Sequence, residues 1–222
     1  MKNKTKLQNP RGTFDILPPT SYIWRYIQNN LSTITELFGY SPISTPIIED
    51  SKLFARGVGE STDIVEKETY TFEDRGGDLI SLRPEGTAPI CRSYLQNGMH
   101  NLPQPIRLYY NGPFFRYDRP QSGRYRQLHQ FGAELIGDSS SVSDVEIIQL
   151  AWNILNSLGI KDIKSMSHPN GSYNTKTLKI LKDLKIKIGF RQIMKDEKNK
   201  VNNTNLEISR IDHAEIVKKY KI

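Results

Sequence analysis

The sequence predicts an α+β fold, a mainly antiparallel sheet flanked by helices, followed by a short α/β tail. Three observations carry this. Two stretches rich in aromatic and branched residues, Ile106–Arg116 and Arg126–Ile136, are joined by a charged connection, as in a pair of strands. Apolar residues recur at helical spacing before and after them. The composition then changes near Lys164. Residues 165–222 hold 13 basic and 6 acidic residues, with 11 Lys against 2 Arg; residues 1–164 hold 18 of each sign, with 11 Arg against 7 Lys. The net charge of +7 therefore belongs to the last quarter of the chain and is no argument for nucleic-acid binding by the whole. Two parts are expected, 1–164 and 165–222.

The elements follow in order. Residues 1–8 are polar, and Asn9–Pro19 is punctuated by Pro10, Gly12, Pro18 and Pro19, which favours an ordered turn. Thr20 or Ser21 is expected to cap a helix whose apolar positions are Ile23, Tyr26, Ile27, Leu31, Ile34, Leu37 and Phe38, closed by Gly39. Pro42–Ile48 reads as a short strand, with Pro46 at an edge or bulge because it lacks an N–H. Ser51–Glu60 reads as helix then turn. Asp63, Glu66, Lys67 and Glu68 have the spacing of a solvated helix face rather than a metal site. Tyr70–Glu73 and Leu79–Leu82 flank a polar five-residue turn, a β-hairpin. Pro84 and Gly86 then fix a tight turn, with Thr87 placed to cap the helix Ala88–Asn97. Cys91, the single cysteine, excludes an internal disulfide; its apolar neighbours point to a packed thiol. After the strand pair, Ser143 or Asp144 is expected to cap a helix with an apolar face of Val145, Ile148, Ala151, Trp152, Leu155 and Leu158, Leu150 lying at its edge.

The strand pair is where chemistry concentrates. Alternation puts Arg126, Leu128, Gln130, Gly132, Glu134 and Ile136 on one face. Gln130 and Glu134 thus flank a residue without a side chain, and Gly132 could leave room there for a small ligand. Arg116, at the end of the partner strand, offers a fixed cation suited to phosphate. Pattern alone leaves a second reading open, a bulge glycine on a solvated sheet face.

Phe115–Glu134, FRYDRPQSGRYRQLHQFGAE, resembles motif 2 of class II aminoacyl-tRNA synthetases, and GRYRQ followed by HQFGAE is similar to the histidyl-tRNA synthetase version. The block KETYTFEDRGGDLISLRPEGT, the PRGT segment at Pro10–Thr13 and the long helix with a following strand and proline (motif 1) resemble the same family. The resemblance covers about residues 9–164. It implies a class II synthetase-like sheet and an ATP-dependent ligase that activates histidine as histidyl-adenylate and transfers it to tRNA-His. It further implies ATP and Mg²⁺, cytoplasmic location, and a homodimer formed through residues about 20–48. By carry-over, Arg116 is catalytic and meets the α-phosphate. Asp118, where the family usually has Glu, faces the adenine side or a metal. Arg124 approaches the β/γ-phosphates or the tRNA end. Glu85, Thr87 and Gln130 hold the α-amino group, Gly86 belongs to the same histidine site, and Glu134 accepts a hydrogen bond from the imidazole.

From Ser165 this pattern ends. The family's histidine-specific arginine segment and motif 3 are not found, so the sheet is expected to be incomplete and the chain weak or inactive alone. Residues 167–216 resemble instead the end of a NodB-type polysaccharide deacetylase, through a Pro-x-Gly turn, a helix at Thr175–Leu184, a KIGF strand and a closing RIDH. That family's metal-binding Asp and paired His would lie upstream. His168 and His213 alone make no metal site, which needs three converging ligands. Two alternatives stand beside the ligase: a non-catalytic synthetase-like regulatory subunit of ATP phosphoribosyltransferase, and a polysaccharide deacetylase fragment. No apolar run is long enough to span a membrane.

Overall fold

The computed structural model describes residues 7–57, 68–117, 119, 123–167, 173–194 and 204–210. It divides into two compact units, Met1–Gly159 and Ile160–Ile222.

In the first unit, helix α1 spans Thr20–Leu37. Its N-cap is Pro19, without a side-chain cap bond, so neither Thr20 nor Ser21 plays the expected part. Gly39 follows the C-cap at φ +80°, the left-handed conformation that a helix end commonly places on glycine. The strand expected at Pro42–Ile48 is two strands in different sheets, β1 (Ser41–Pro42) and β2 (Ile48–Asp50). Pro46 lies between them; without an N–H it cannot continue a ladder. Helix α2 spans Ser51–Gly57. Of the carboxylate-rich segment, Asp63, Glu66 and Lys67 fall outside the described residues. Strands β3 (Thr71–Glu73) and β4 (Leu79–Leu82) form the expected hairpin. Its turn is locked by Asp74, whose Oδ1 accepts from Gly76 N (2.8 Å) and Asp78 N (3.0 Å). β4 also pairs with β2, giving the order β2-β4-β3.

Helix α3 spans Thr87–Gln96. Strands β5 (Ile106–Phe115) and β6 (Gln127–Ile136) pair antiparallel over their full length, with Ile106 opposite Ile136 and Phe115 opposite Gln127. β1 joins β5 in parallel, giving β1-β5-β6. Helix α4 spans Ser141–Ser157. It starts earlier than expected, from Ser140, because Asp138 organises the turn: its carboxylate accepts from Ser140 N (2.8 Å) and from the hydroxyls of Ser140 (2.9 Å) and Ser143 (2.6 Å).

The sheet is covered on both faces. Odd-numbered residues Tyr109, Phe131 and Ala133 pack on Leu31 and Ile34 of α1 and on Leu150 and Ile154 of α4. Even-numbered residues Leu108, Tyr110, Phe114 and Leu128 pack on Ile90 of α3. The buried side of α4 is therefore Leu150 and Ile154; of the stripe predicted from periodicity, Leu158 at its end packs on this core. Val145, Ile148 and Trp152 point outward, 52%, 60% and 40% exposed. The helix is apolar on both sides, and only packing decides which one is core. Cys91 is likewise exposed rather than packed in the core.

The second unit is α/β. Strands β7 (Ser165–Ser167), β8 (Ile188–Met194) and β9 (Ile208–Arg210) pair in parallel in that order. Helix α5 (Thr175–Asp183) crosses between β7 and β8; it starts from a capping box of Asn174 and Thr177 and buries Leu178 and Leu181 against Ile186 and Leu206. The strand expected at the KIGF segment begins at Ile188 and runs on to Met194, and Ile186 before it is a core residue of the approach. Buried Glu207 is held by Tyr173 Oη (3.0 Å), Thr204 N (2.9 Å) and Thr204 Oγ1 (3.1 Å). His168 and His213 lie outside the described residues.

Candidate functional site

One residue knots the first unit together behind the site. Arg83 directly follows β4 and is 6% exposed. Its backbone N donates to Ile47 O and its O accepts from Phe115 N (2.9 and 3.0 Å). Its guanidinium donates to Pro113 O through Nε (3.1 Å) and to Thr45 O and Oγ1 through Nη1 (2.9 and 3.0 Å), and lies 4.5 Å from the Phe114 ring centroid. A cation buried this deeply is tolerated because its donors are spent on carbonyls. The result is that the next residues, Pro84 to Thr87, are laid across the even face of β5 and β6.

Two hydrogen bonds place that turn. Thr87 Oγ1 donates to Glu134 Oε1 on β6 at 2.8 Å, and Arg116 Nε donates to Pro84 O at 2.9 Å. Arg116, Gln130 and Glu134 therefore share one side of the sheet with the turn that carries Glu85, Gly86 and Thr87. Two local expectations change. Thr87 does not cap α3: Glu85 does, its carboxylate accepting from Thr87 N (2.6 Å) and Ala88 N (2.9 Å), the favoured place for an anion at a helix start. And Gly132 does not hold space for a ligand. Tyr110 sits directly opposite it in the ladder and its ring fills that space. A Cβ on Gly132 would stand 2.6 Å from Tyr110 Cε1, with Cζ and Oη closer still. Gly86 meets the other side of the same ring, where a Cβ would stand 2.6 Å from Tyr110 Oη. The ring is held between two glycines.

Tyr110 is the site residue that the sequence did not single out. It is 7% exposed, and its hydroxyl accepts from Gln130 Nε2 at 3.1 Å. Adding up strand register from Phe115 and Gln127 would have placed it over Gly132. Burial first, then the neighbouring carboxylates of Glu134 and Glu85, push its ionisation up to about 12, so it is a neutral phenol. Burial also raises the Glu134 carboxyl; the Thr87 hydrogen bond opposes this and Glu85 adds to it. The Cys91 thiol is raised too, by burial and by Glu134 and Glu85.

Arg124 lies in the connection between β5 and β6, exposed to solvent. Asp118 falls outside the described residues. The base of that connection is fixed by the amino-terminal turn: Arg126 N donates to Gly12 O at 2.7 Å, and the Arg126 guanidinium stacks 4.1 Å from the Tyr117 ring centroid. An apolar cavity of about 390 Å³ lined by Gly39, Ser41, Met99, Leu102, Ile106 and Leu108 shares no residue with this cluster. Among the described residues no group of three His, Cys, Asp or Glu could hold a metal ion, and no helix is long and apolar enough to cross a membrane.

The arrangement offers carboxylates and an amide beside a guanidinium on a rigid sheet, a surface for a small zwitterion next to an anion. The chain is 56% identical over 156 residues to a histidine–tRNA ligase of Dehalococcoides mccartyi, covering 70% of this chain and 37% of that protein. It is 55% identical over 159 residues to one of Staphylococcus epidermidis, covering 71% and 38%. The chain thus spans under two-fifths of the length of these relatives. A crystal structure of apo S. aureus histidyl-tRNA synthetase superposes with a TM-score of 0.62 at 43% identity, over 73% of this chain and 37% of that one. A Bacillus halodurans C structure described as an ATP phosphoribosyltransferase regulatory subunit/histidyl-tRNA synthetase superposes at 0.60 with 28% identity, over 72% and 40%. The α+β sheet flanked by helices is thus the class II synthetase-like fold that motif 2 implied. The histidyl-tRNA synthetase family model matches residues 12–170, well over half of the sequence, and the chain belongs to that family.

Proposed function

We propose that the first unit carries the amino-acid side of a histidine–tRNA ligase active site. The observation that carries this is the Thr87–Glu134 hydrogen bond, which closes the Arg83–Thr87 turn over the motif 2 strands and gathers acceptors around one small volume. Histidine is a cationic amine, a carboxylate and an imidazole. Glu85 and Gln130 face the amine, and Glu134 accepts from an imidazole N–H, which an apolar amino acid cannot supply. Glu85 retains lone pairs for an ammonium while capping α3, since each carboxylate oxygen can accept twice.

In the reaction, an oxygen of the histidine carboxylate forms a bond to the α-phosphorus of ATP, the bond to the bridging oxygen breaks, and pyrophosphate leaves. A ribose hydroxyl at the 3′ end of tRNA-His then attacks the acyl carbon of the histidyl-adenylate, the acyl–phosphate bond breaks, and AMP leaves. Two anions must approach, so the work is positioning and charge neutralisation. Arg116, tethered through Nε, keeps its Nη atoms for an α-phosphate, and Arg124 on the exposed connection is placed for the outer phosphates. Magnesium would enter with ATP, whose charge it neutralises. This is the chemistry of a cytoplasmic enzyme.

Exposed Tyr22, Ile23 and Tyr26 on α1, with Ile148 and Trp152 on α4, support a homodimer through residues about 20–48. Residues 165–222 read as a piece of separate origin, resembling the end of a NodB-type polysaccharide deacetylase. The Lys-rich composition supports this, as does the all-parallel pairing of β7, β8 and β9.

The test is calorimetric titration of the purified chain with L-histidine and with ATP, followed by histidine-dependent ATP–pyrophosphate exchange. Histidine is expected to bind, ATP binding to fall on Arg116→Ala, and exchange to be weak. Histidine binding without any ATP binding favours the regulatory-subunit reading, and binding of neither ligand refutes both.

A further inference from the structure

Gln130 is symmetric in shape but not in chemistry: one end of its amide donates and the other accepts. A pocket for an ammonium needs the accepting end. Four side chains decide which end is offered. Thr87 has one hydroxyl proton and gives it to Glu134 at 2.8 Å. The Tyr110 hydroxyl oxygen accepts from Gln130 Nε2 at 3.1 Å. The Thr87 hydroxyl proton is already given to Glu134, so it does not compete with Gln130 for the phenol oxygen. The Tyr110 ring cannot turn away, because Gly86 and Gly132 close on its two sides.

We propose that Tyr110 is a positioning residue for amine selectivity: by occupying the nitrogen of Gln130 it fixes the amide with its carbonyl toward the ligand. The pocket then presents only acceptors, from Gln130, Glu85 and Glu134, and selects a ligand with an ammonium group. Without the phenol oxygen the amide turns freely, and half of its orientations aim an NH₂ at the ammonium. This rests on the histidine reading above.

The test compares L-histidine with imidazole-4-propionate, which lacks the amine, by calorimetry on the full chain and its Tyr110→Phe variant. Losing one oriented hydrogen bond to a charged group lowers the preference for histidine by about tenfold, while affinity for imidazole-4-propionate changes less than about twofold. With Gln130→Glu as the background, both ends accept, and Tyr110→Phe no longer lowers the preference. An unchanged preference in Tyr110→Phe, or an equal loss for both ligands, overturns the proposal. Should Tyr110→Phe fail to melt cooperatively, the wild-type side-chain amide signals of Gln130 decide. Nuclear Overhauser contacts from the Gln130 NH₂ protons to the Tyr110 ring support the proposal, and NH₂ protons without such contacts overturn it. Wild-type chain that binds neither ligand refutes the histidine reading itself, and this proposal with it.

Discussion

Gly132→Ala is the substitution whose sign the structure reverses. In an ordinary strand, alanine in place of glycine stabilises by about 0.5–1 kcal/mol, because glycine loses more freedom on folding. Gly132 has no left-handed φ, so the backbone itself would accept alanine. The obstacle is the Tyr110 ring. The added Cβ would stand 2.6 Å from Cε1, against 3.4–4 Å for ordinary contact. The ring cannot retreat, since Gly86 faces it from the other side and a residue on α3 backs the pair. Overpacking of this kind costs about 1–3 kcal/mol, and with both sides closed the upper end applies. For a unit of this size about 3 kcal/mol lowers Tm by about 6–12 °C. The assay is thermal unfolding of Gly132→Ala, Tyr110→Ala and the double variant. The account predicts that Gly132→Ala destabilises the parent and is neutral or stabilising once the ring is gone. An equal loss in both backgrounds, or a parent Tm that does not fall, refutes the packing argument.

Other outcomes follow from the same geometry. Arg83→Met leaves the Thr45 and Pro113 carbonyls short of a buried donor and lowers unfolding free energy in urea by about 3 kcal/mol or more. Arg116→Ala removes a half-exposed side chain tied by one bond; stability changes by about 1 kcal/mol, while ATP affinity falls at least about tenfold. Glu134→Gln gives a pH-dependent result. Its folded-state ionisation is raised, so the folded chain holds the proton more tightly than the unfolded one, and ionisation costs stability. That cost is present above the raised value and vanishes below the ordinary carboxyl range. Glu134→Gln is therefore more stable than the parent at pH 8 by thermal melt, equal to it in acid, and unable to select histidine.

Legibility in the sequence tracked how local the deciding force was. The hairpin β5–β6 was legible to within a residue, because alternation and the charged connection fix both strands and their facing sides. Gln130 and Glu134 could be put on one side by counting in twos, whereas the side of Arg116, at the end of the partner strand, needed the register. Tyr110 was missed because its importance depends on register, a relation between two strands; the glycine opposite it reads as space until the partner is known. Thr87 has the composition of a cap, yet Glu85 is nearer the free N–H groups of α3, and the hydroxyl goes to another strand. In α4, two apolar stripes compete, and only the sheet beneath chooses Leu150 and Ile154. Pro46 signals an interruption, but not that the chain changes sheets there.

The central claim is that the even face of β5 and β6 receives histidine. A crystal structure of the chain grown with saturating L-histidine tests it most directly. The account places the ammonium against Gln130 Oε1 and Glu85, and the imidazole N–H on Glu134. Histidine bound elsewhere on the chain, or this face empty at saturation, contradicts it.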